Sequence, residues 1–112
     1  LRRACGEVPL ALLVIADEAQ VEEALWQEVR AGLPEGAERE RAQRRLGAWA
    51  EEEGLAFEDL LPRFLALEPA ADGSRHLYHL RDTHWNARGN ELAGEGLAAL
   101  VRRALPPRTP TR

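Results

Sequence analysis

Hydrophobic residues follow two different patterns along this chain, a continuous run near the beginning and spaced positions afterwards. The run from Val8 to Ala16 is rich in Val, Leu and Ile, which predicts a strand buried on both faces within a parallel sheet. A buried helix is the alternative for the same run. Leu55 to Asp59 gives a second, shorter strand signal, which is bounded by Gly54 and Pro62.

The segment after the first predicted strand has the start signal and the spacing of an amphipathic helix. Asp17 can accept a hydrogen bond at the N-cap, and Gln20 lies three positions further on, as in a capping box. The apolar positions that follow share one helical face and are Val21, Ala24, Leu25 and Val29. We therefore predict a helix that ends near Gly32, and with the preceding strand it forms the first half of a βαβ unit.

Two further helices are predicted along the rest of the chain. One runs from about Ala37 to Glu53, with Gly54 as its stop, and the other follows the capping residue Asn86 and runs towards Arg103. Their predicted inward residues are Ala42, Leu46, Trp49 and Ala50 in the first helix and Ala93, Leu97, Leu100 and Val101 in the second. This order of strands and helices predicts an α/β fold with a parallel sheet and flanking helices.

Length and composition limit the class of protein. The 112 residues suffice for one domain, which we place at residues 1–105, and Pro106 to Arg112 has no apolar anchor, so a disordered tail is predicted there. The formal net charge of -4 argues against binding to nucleic acid. The longest apolar run is far shorter than the roughly 20 residues that span a bilayer, so no membrane contact is predicted for this segment. The single Cys5 excludes an internal disulfide.

The stretch from Leu80 to Ala93 concentrates the polar chemistry of the chain. In an extended segment residues i and i+2 project to the same side, so Asp82 and His84 can lie side by side while Thr83 points away. A carboxylate bonded to one imidazole nitrogen fixes the tautomer and leaves the other nitrogen free to take a proton from a nucleophile. We therefore predict Asp82 and His84 as a catalytic pair, and we expect Trp85 to shield it from water.

The sequence Asp-Thr-His-Trp-Asn at 82–86, followed by Gly89 and a helix, resembles the last conserved block of the SGNH (GDSL-like) hydrolases, in the shorter Asp-x-His-Trp form of envelope-associated members. The segments from Val8 to Ile15 and from Gly54 to Pro62 also resemble the passages that lead up to this block. The resemblance covers residues 8–103. It implies a flavodoxin-like fold, of which this chain would be the C-terminal portion.

The resemblance also implies an activity. In SGNH esterases and O-acyltransferases a serine attacks an ester carbonyl, so His84 would act as general base and then acid, and Asp82 would orient it. The implied substrates are O-acyl esters, commonly O-acetyl groups on carbohydrate, with no cofactor and a bacterial extracytoplasmic or cell-envelope setting. The family's Gly-Asp-Ser nucleophile block and the other oxyanion-hole residues lie upstream of these passages, and none is in this chain.

We therefore expect this chain to be a fragment whose domain is completed by an upstream part of the same protein. The lack of an initiator Met favours the same view. We expect the chain alone to be inactive on esters. The alternative function, from a different class, is a non-catalytic interaction domain that keeps the SGNH-like fold without the nucleophile.

A metal site is the alternative interpretation of the histidine-rich stretch. His76, His79, Asp82 and His84 have the residue types that bind zinc or iron, but their spacing has no established metal logic. On an extended segment His76 and His79 face opposite sides. We therefore predict no metal site and expect these two histidines to be exposed or at a strand edge.

Three other polar residues are given structural roles. Ser74 is the only serine, and it lies in a polar loop without the strained strand-to-helix turn that activates a nucleophile. Asp59 is predicted to cap the turn at Pro62, and Asp17 to be the N-cap described above. None of the three is predicted to be catalytic.

Overall fold

The fold is mixed α/β, and the computed structural model describes it for residues 2–105. The helices are α1 (Arg2–Cys5), α2 (Glu18–Val21), α3 (Glu23–Ala31), α4 (Arg41–Glu52), α5 (Leu60–Leu65) and α6 (Ala87–Ala104). The strands are β1 (Ala11–Val14), β2 (Ala56–Asp59), β3 (Tyr78–His79) and β4 (Asp82–Trp85). The tail predicted at residues 106–112 lies outside the described residues.

Strands β1 and β2 form a parallel pair, as the sequence predicts. Ala11 lies opposite Ala56 and Val14 opposite Asp59. The chain passes from β1 to β2 through α2, α3 and α4, which is the predicted βαβ arrangement. Within the described residues, this sheet has only these two strands.

The predicted strand from Val8 to Ala16 is wrong in length and in burial. Strand β1 has four residues, all of them half-buried. Val8 and Ile15, which flank it, are exposed. Among the described strands only β2 pairs with β1, so one edge of β1 has no neighbouring strand and its residues stay half-buried.

Different helices cover the two faces of the sheet. Successive residues of a strand point to opposite faces. Phe57 points towards α4, where a Cβ built at Gly47 would lie 3.3 Å from its ring. Glu58 points the other way, and its carboxylate accepts hydrogen bonds from Arg63 of α5 at 3.3 Å and from Arg103 of α6 at 2.6 Å. The sheet therefore lies between α4 and α6.

Helix α4 turns a different face to the sheet from the predicted one. Of the four predicted inward residues Ala50 is buried, whereas the others are exposed: Ala42, Leu46 and Trp49. The second buried residue of α4 is Gln43. Its amide exchanges two hydrogen bonds, each of 2.9 Å, with the amide of Gln20. A satisfied amide pair, together with the close approach at Gly47, replaces the expected apolar contacts.

Helix α6 also faces the core through small residues. Its buried positions are Gly89, Ala93, Gly96 and Leu100. The predicted inward residues Leu97 and Val101 are exposed instead. A Cβ at Gly96 would overlap the side chain of Leu60, so the helix approaches the core more closely than a larger residue would allow. Within residues 2–105, no helix has the length and hydropathy needed to cross a lipid bilayer.

The single helix predicted after Asp17 is broken at Glu22. Its start is confirmed, because Asp17 and Gln20 form the capping box, and its end at Gly32 is confirmed by the C-cap of α3. Glu22 is extended, with φ -94° and ψ 114°. Its carboxylate accepts the backbone N–H of Arg75 at 3.0 and 3.1 Å. A contact between distant segments therefore accompanies the break, while the backbone of Glu22 still bonds Glu18 and Trp26, each at 2.9 Å.

The most deeply buried side chains lie beneath β3 and β4. They are Phe64, Leu60, Leu61, Leu77 and Val21. The Phe64 ring lies 6.3 Å from the Tyr78 ring and 5.8 Å from the Trp85 ring, measured between centroids. Aromatic side chains from both strands are thus anchored in the core. This packing fixes the position of the hairpin that carries the candidate catalytic residues.

Candidate active site

A short hairpin carries both candidate catalytic residues. Strands β3 and β4 are antiparallel, with His79 opposite Asp82. Leu80 and Arg81 connect them, and Arg81 has a φ of 56°. Short hairpin connections need residues with positive φ, which Gly, Asn and Asp adopt most easily. The connection contains none of these, so no turn signal marks it in the sequence.

The side chains of Asp82 and His84 are in contact, as expected for residues two apart on a strand. Asp82 Oδ1 and His84 Nδ1 form a short hydrogen bond. The backbone N–H of His84 approaches the same carboxylate oxygen at 3.4 Å. Both contacts hold the carboxylate against the Nδ1 side of the ring. With the carboxylate on Nδ1, the proton of a neutral His84 is placed on Nδ1 and Nε2 is left as the acceptor.

The pair is open to solvent. The side chain of Asp82 is 58% exposed and that of His84 is 83% exposed. Trp85 does not cover them, because its side chain points into the core and packs on Phe64. The expectation that Trp85 shields the pair is therefore wrong. Because the His84 ring is exposed, its Nε2 atom is accessible to groups that lie outside residues 2–105.

The contact shifts the pKa values of both groups in the directions expected of an ion pair. The hydrogen bond from the His84 ring lowers the pKa of Asp82, and the backbone N–H of His84 lowers it further. The hydrogen bond to Asp82 and its negative charge raise the pKa of His84 above its ordinary value of 6.5. His84 is thus a stronger base than a free imidazole, which suits a group that takes and returns a proton.

The end of β4 is tied to the body of the domain by Asn86 and Gly89. The side-chain oxygen of Asn86 accepts the backbone N–H groups of Arg88 at 3.0 Å and Gly89 at 3.1 Å, which confirms the predicted N-cap of α6. A Cβ at Gly89 would overlap the carbonyl oxygen of Leu77. The junction between β4 and α6 therefore lies directly against neighbouring backbone.

The hairpin lies close to the segment that follows the carboxyl end of β1. The hydroxyl of Tyr78 donates a 2.9 Å hydrogen bond to the carbonyl of Ala16, and burial raises the pKa of Tyr78 to about 12. Burial raises the pKa of Glu18, and the neighbouring carboxylates, including that of Asp82, raise it further. Open α/β sheets bind ligands at the carboxyl ends of their strands, and the pair lies near that end.

The other residues considered from the sequence have structural contacts. Ser74 belongs to a turn in which its N–H donates to Asp72 at 3.0 Å and its hydroxyl accepts the N–H of His76 at 3.1 Å. The ring of His76 bonds Asp72 at 2.8 Å. His76 and His79 are both exposed, as expected. Among residues 2–105, no group of three or more His, Cys, Asp and Glu side chains is arranged to hold a metal ion.

Asp59 has the predicted capping role. Its carboxylate accepts the backbone N–H of Leu61 at 2.9 Å at the start of α5. Burial raises the pKa of Asp59, whereas this hydrogen bond lowers it. Its contacts give it no part in proton transfer at His84.

A groove of about 800 Å³ lies between the acidic helices α2 and α3 and the hairpin. Leu80, Arg81 and Thr83 line its hairpin side, whereas Asp82 and His84 do not line it. This agrees with the alternation along β4, which turns Thr83 away from the pair. This groove therefore runs along the side of the hairpin that Thr83 faces and does not include the candidate pair.

Sequence reasoning missed two residues that support the hairpin, Tyr78 and Arg75. The guanidinium of Arg75 donates to the carbonyl oxygens of Leu67 at 2.8 Å, Val21 at 3.0 Å and Leu65 at 3.3 Å. Each of these contacts joins segments that are distant along the chain or separated by a loop. Tyr78 is the only tyrosine of the chain, which is the one signal that could have singled it out.

Comparisons with known proteins assign no family. No protein-family model, curated protein or solved structure matches the chain. The resemblance to SGNH hydrolases at 82–86 therefore stays a prediction, and so do the catalytic roles of Asp82 and His84.

Proposed function

We propose that Asp82 and His84 supply the aspartate and histidine of a Ser-His-Asp triad in a serine esterase or O-acyltransferase of the SGNH type. The observation that carries the proposal is the hydrogen bond that Nδ1 of His84 donates to the Asp82 carboxylate, in a histidine whose side chain is 83% exposed. A parallel pair of strands between helices is compatible with the flavodoxin-like fold of that family. In this proposal the chain is the C-terminal portion of the domain.

The proposed chemistry follows from the orientation of the His84 ring. Nε2 takes the proton of a serine hydroxyl while the serine oxygen attacks the acyl carbon, and the resulting imidazolium is stabilised by Asp82. Nε2 then returns the proton to the leaving alcohol, and an acyl-serine remains. Water gives hydrolysis and another hydroxyl gives acyl transfer, and His84 again acts as the base. The reaction requires no cofactor.

The nucleophile is expected outside these 112 residues. Ser74 is the only serine in the chain, and its hydroxyl is engaged with the backbone of His76. It lies in a turn rather than at a strained strand-to-helix junction, so nothing aims its oxygen at a substrate. Asp82 and His84 are exposed and do not line the groove beside the hairpin. Both features are expected if another segment of the protein supplies the serine and the oxyanion donors.

The substrate class comes from the resemblance alone. It suggests O-acyl esters, with O-acetyl groups on carbohydrate as the foremost case, in a bacterial envelope or extracytoplasmic setting. The net charge of -4 gives no support to a nucleic-acid substrate. A small activated ester is therefore a suitable first probe, because it tests the chemistry without assuming a particular carbohydrate.

The test measures p-nitrophenyl acetate hydrolysis by the 112-residue chain and by a longer protein that also contains a Gly-Asp-Ser segment. We expect no serine-dependent turnover from the first and turnover from the second. In the longer protein, His84→Ala should lower kcat by roughly 10³-fold or more. His79→Ala is the matched control, since His79 is exposed on the same hairpin, and it should retain activity.

Two results would overturn the proposal. One is unchanged turnover of the longer protein in His84→Ala. The other is turnover by the 112-residue chain that disappears in Ser74→Ala, which would place the nucleophile at the position rejected above. A longer protein that binds carbohydrate but never hydrolyses or transfers an acyl group would favour the non-catalytic interaction domain.

A further inference from the structure

We infer that Asn86 is a positioning residue for the Asp82–His84 pair, because its single side-chain amide joins the strand before the pair to the helix after it. The inference rests on the proposed function, since positioning matters only if the pair transfers protons. Asn86 lies two residues after His84, outside the pair itself. It acts on the pair through the backbone on both sides.

The amide nitrogen of Asn86 holds the strand that precedes the hairpin turn. Nδ2 donates to the carbonyl oxygen of His76 at 2.7 Å and approaches that of Tyr78 at 3.4 Å. The backbone N–H of Asn86 donates to the carbonyl of Leu77 at 3.0 Å. Three consecutive carbonyl groups therefore face one residue. These contacts set the distance between β3 and the end of β4.

The amide oxygen of Asn86 holds the helix that follows. It accepts the N–H groups of Arg88 and Gly89, which are among the four at a helix start that have no partner within the helix. Asn90 adds to the junction, because its side chain donates to the carbonyl oxygens of Asn86 at 3.0 Å and Trp85 at 3.1 Å. The end of β4 is thus fixed from both sides.

Only an amide of this length meets both demands. An ordinary N-cap needs only an acceptor, which Ser, Thr and Asp also provide. A second task, donation to the carbonyl groups of His76 and Tyr78, needs an N–H donor at the end of the same side chain. Serine keeps the acceptor and is too short to reach the His76 carbonyl. The substitution Asn86→Ser therefore separates the helix-capping role from the bridging role.

The consequence for the pair concerns geometry. Asp82 lies at the start of β4, opposite His79, and His84 lies near its end. The side chains of both are exposed, so no surrounding packing holds them together. Their contact depends on the conformation of the strand. If the bridge from Asn86 to the carbonyls of His76 and Tyr78 is lost, the backbone at the end of β4 loses the contacts that fix its conformation, and the Asp82–His84 contact weakens while α6 remains capped.

The experiment titrates His84 by NMR in the 112-residue chain, following the ring Cε1–H signal, which is assigned with His84→Gln. Asp82→Asn is the reference for complete loss of the contact. We expect Asn86→Ser to keep the helical circular dichroism signal and to shift the His84 midpoint in the same direction as Asp82→Asn. Asn86→Ala should give this shift and also lose helical signal. All titrations are run at a temperature at which each variant is folded.

The control for general destabilisation is Ala50→Gly, which weakens α4 at a buried position on the face of the sheet opposite α5 and α6. It should lower Tm without moving the His84 midpoint. A wild-type midpoint in Asn86→Ser would overturn the inference and leave Asn86 as a cap only. A wild-type midpoint in Asp82→Asn is a different result, since it would remove the contact on which the proposed function stands.

Discussion

Gly89 lies directly against the carbonyl oxygen of Leu77, and a Cβ at position 89 would overlap that oxygen. The same carbonyl accepts the backbone N–H of Asn86 at 3.0 Å. Leu77 itself is fully buried. The first turn of α6 and the segment before β3 are therefore in backbone contact, which is possible because residue 89 has no side chain. The position of the candidate pair depends on this contact.

Adding one methyl group at this contact should destabilise the protein. Gly89→Ala would force α6 away from the Leu77 backbone, and overpacking of this kind costs about 1–3 kcal/mol. The measurement is urea unfolding followed by circular dichroism. Because the displaced segment carries β3, the His84 NMR titration should also change.

The matched control lies in the same helix. A Cβ at Gly94 has nothing within 4 Å, so Gly94→Ala gains helix propensity without a clash and should stabilise by about 0.5–1 kcal/mol. If both alanine variants changed stability in the same direction, the contact with Leu77 would not be the cause.

The Asp82–His84 contact predicts a defined pH dependence of stability. Because the pKa of His84 is raised, the contact adds to the free energy of unfolding below about pH 6.5. This stabilisation is lost as the pH rises through the pKa of His84 in the folded state. Because the pKa of Asp82 is lowered, its carboxylate adds to the free energy of unfolding above about pH 3.9. This stabilisation is lost as the pH falls through the pKa of Asp82 in the folded state. The pair therefore contributes most between these two values. Urea midpoints of wild type and Asp82→Asn should differ more at about pH 5 than at about pH 9, and equal differences would contradict the expectation.

Local signals in the sequence predicted the ends of elements well. Asp17, Asp59 and Asn86 each accept the hydrogen bonds expected of a capping residue. Capping depends on a few neighbouring residues, so the sequence contains the whole cause. The contact of Asp82 with His84 has the same local origin, because two residues on one strand face the same side.

The inward faces of α4 and α6 could not be predicted in this way. The prediction placed large apolar residues inside, yet Trp49 and Leu97 are exposed, while Gly47 faces the Phe57 ring and Gly96 faces the core. Which face of a helix is buried depends on how closely the helix approaches its neighbours. The side chains that fill the space between them come from distant parts of the sequence, so the helix's own sequence does not reveal them. The break at Glu22 has a similar cause, since its partner Arg75 is 53 residues away.

The buried amide pair gives a test of the corrected face of α4. Gln43→Leu removes both hydrogen bonds to the Gln20 side chain, and an ordinary hydrogen bond contributes about 0.5–1.5 kcal/mol to stability. Leu46→Gln, on the exposed side of the same helix, should change stability by no more than about 0.5 kcal/mol. Chemical unfolding of the two variants should rank them in this order. The reverse ranking would restore the face predicted from the apolar pattern.

Strand β1 predicts self-association of the 112-residue chain. Its sequence, Ala-Leu-Leu-Val at 11–14, has no charge or proline to discourage pairing, and one edge is covered by β2 while no described strand covers the other. Ile15, which follows β1, is 61% exposed. Light scattering after size-exclusion chromatography should give a mass above 12.5 kDa that rises with protein concentration.

Charge placed beside this edge should reduce the association. Ile15→Lys adds a positive charge next to β1, and lysine on an edge strand opposes pairing with another chain. Leu80→Lys is the matched control, because Leu80 is 89% exposed at the tip of the hairpin, so it introduces the same charge away from β1. We expect the first variant to shift the mass towards the monomer and the second to leave it unchanged. A wild-type chain that stays monomeric at every concentration, or equal effects of the two lysines, would show that β1 is not the associating edge.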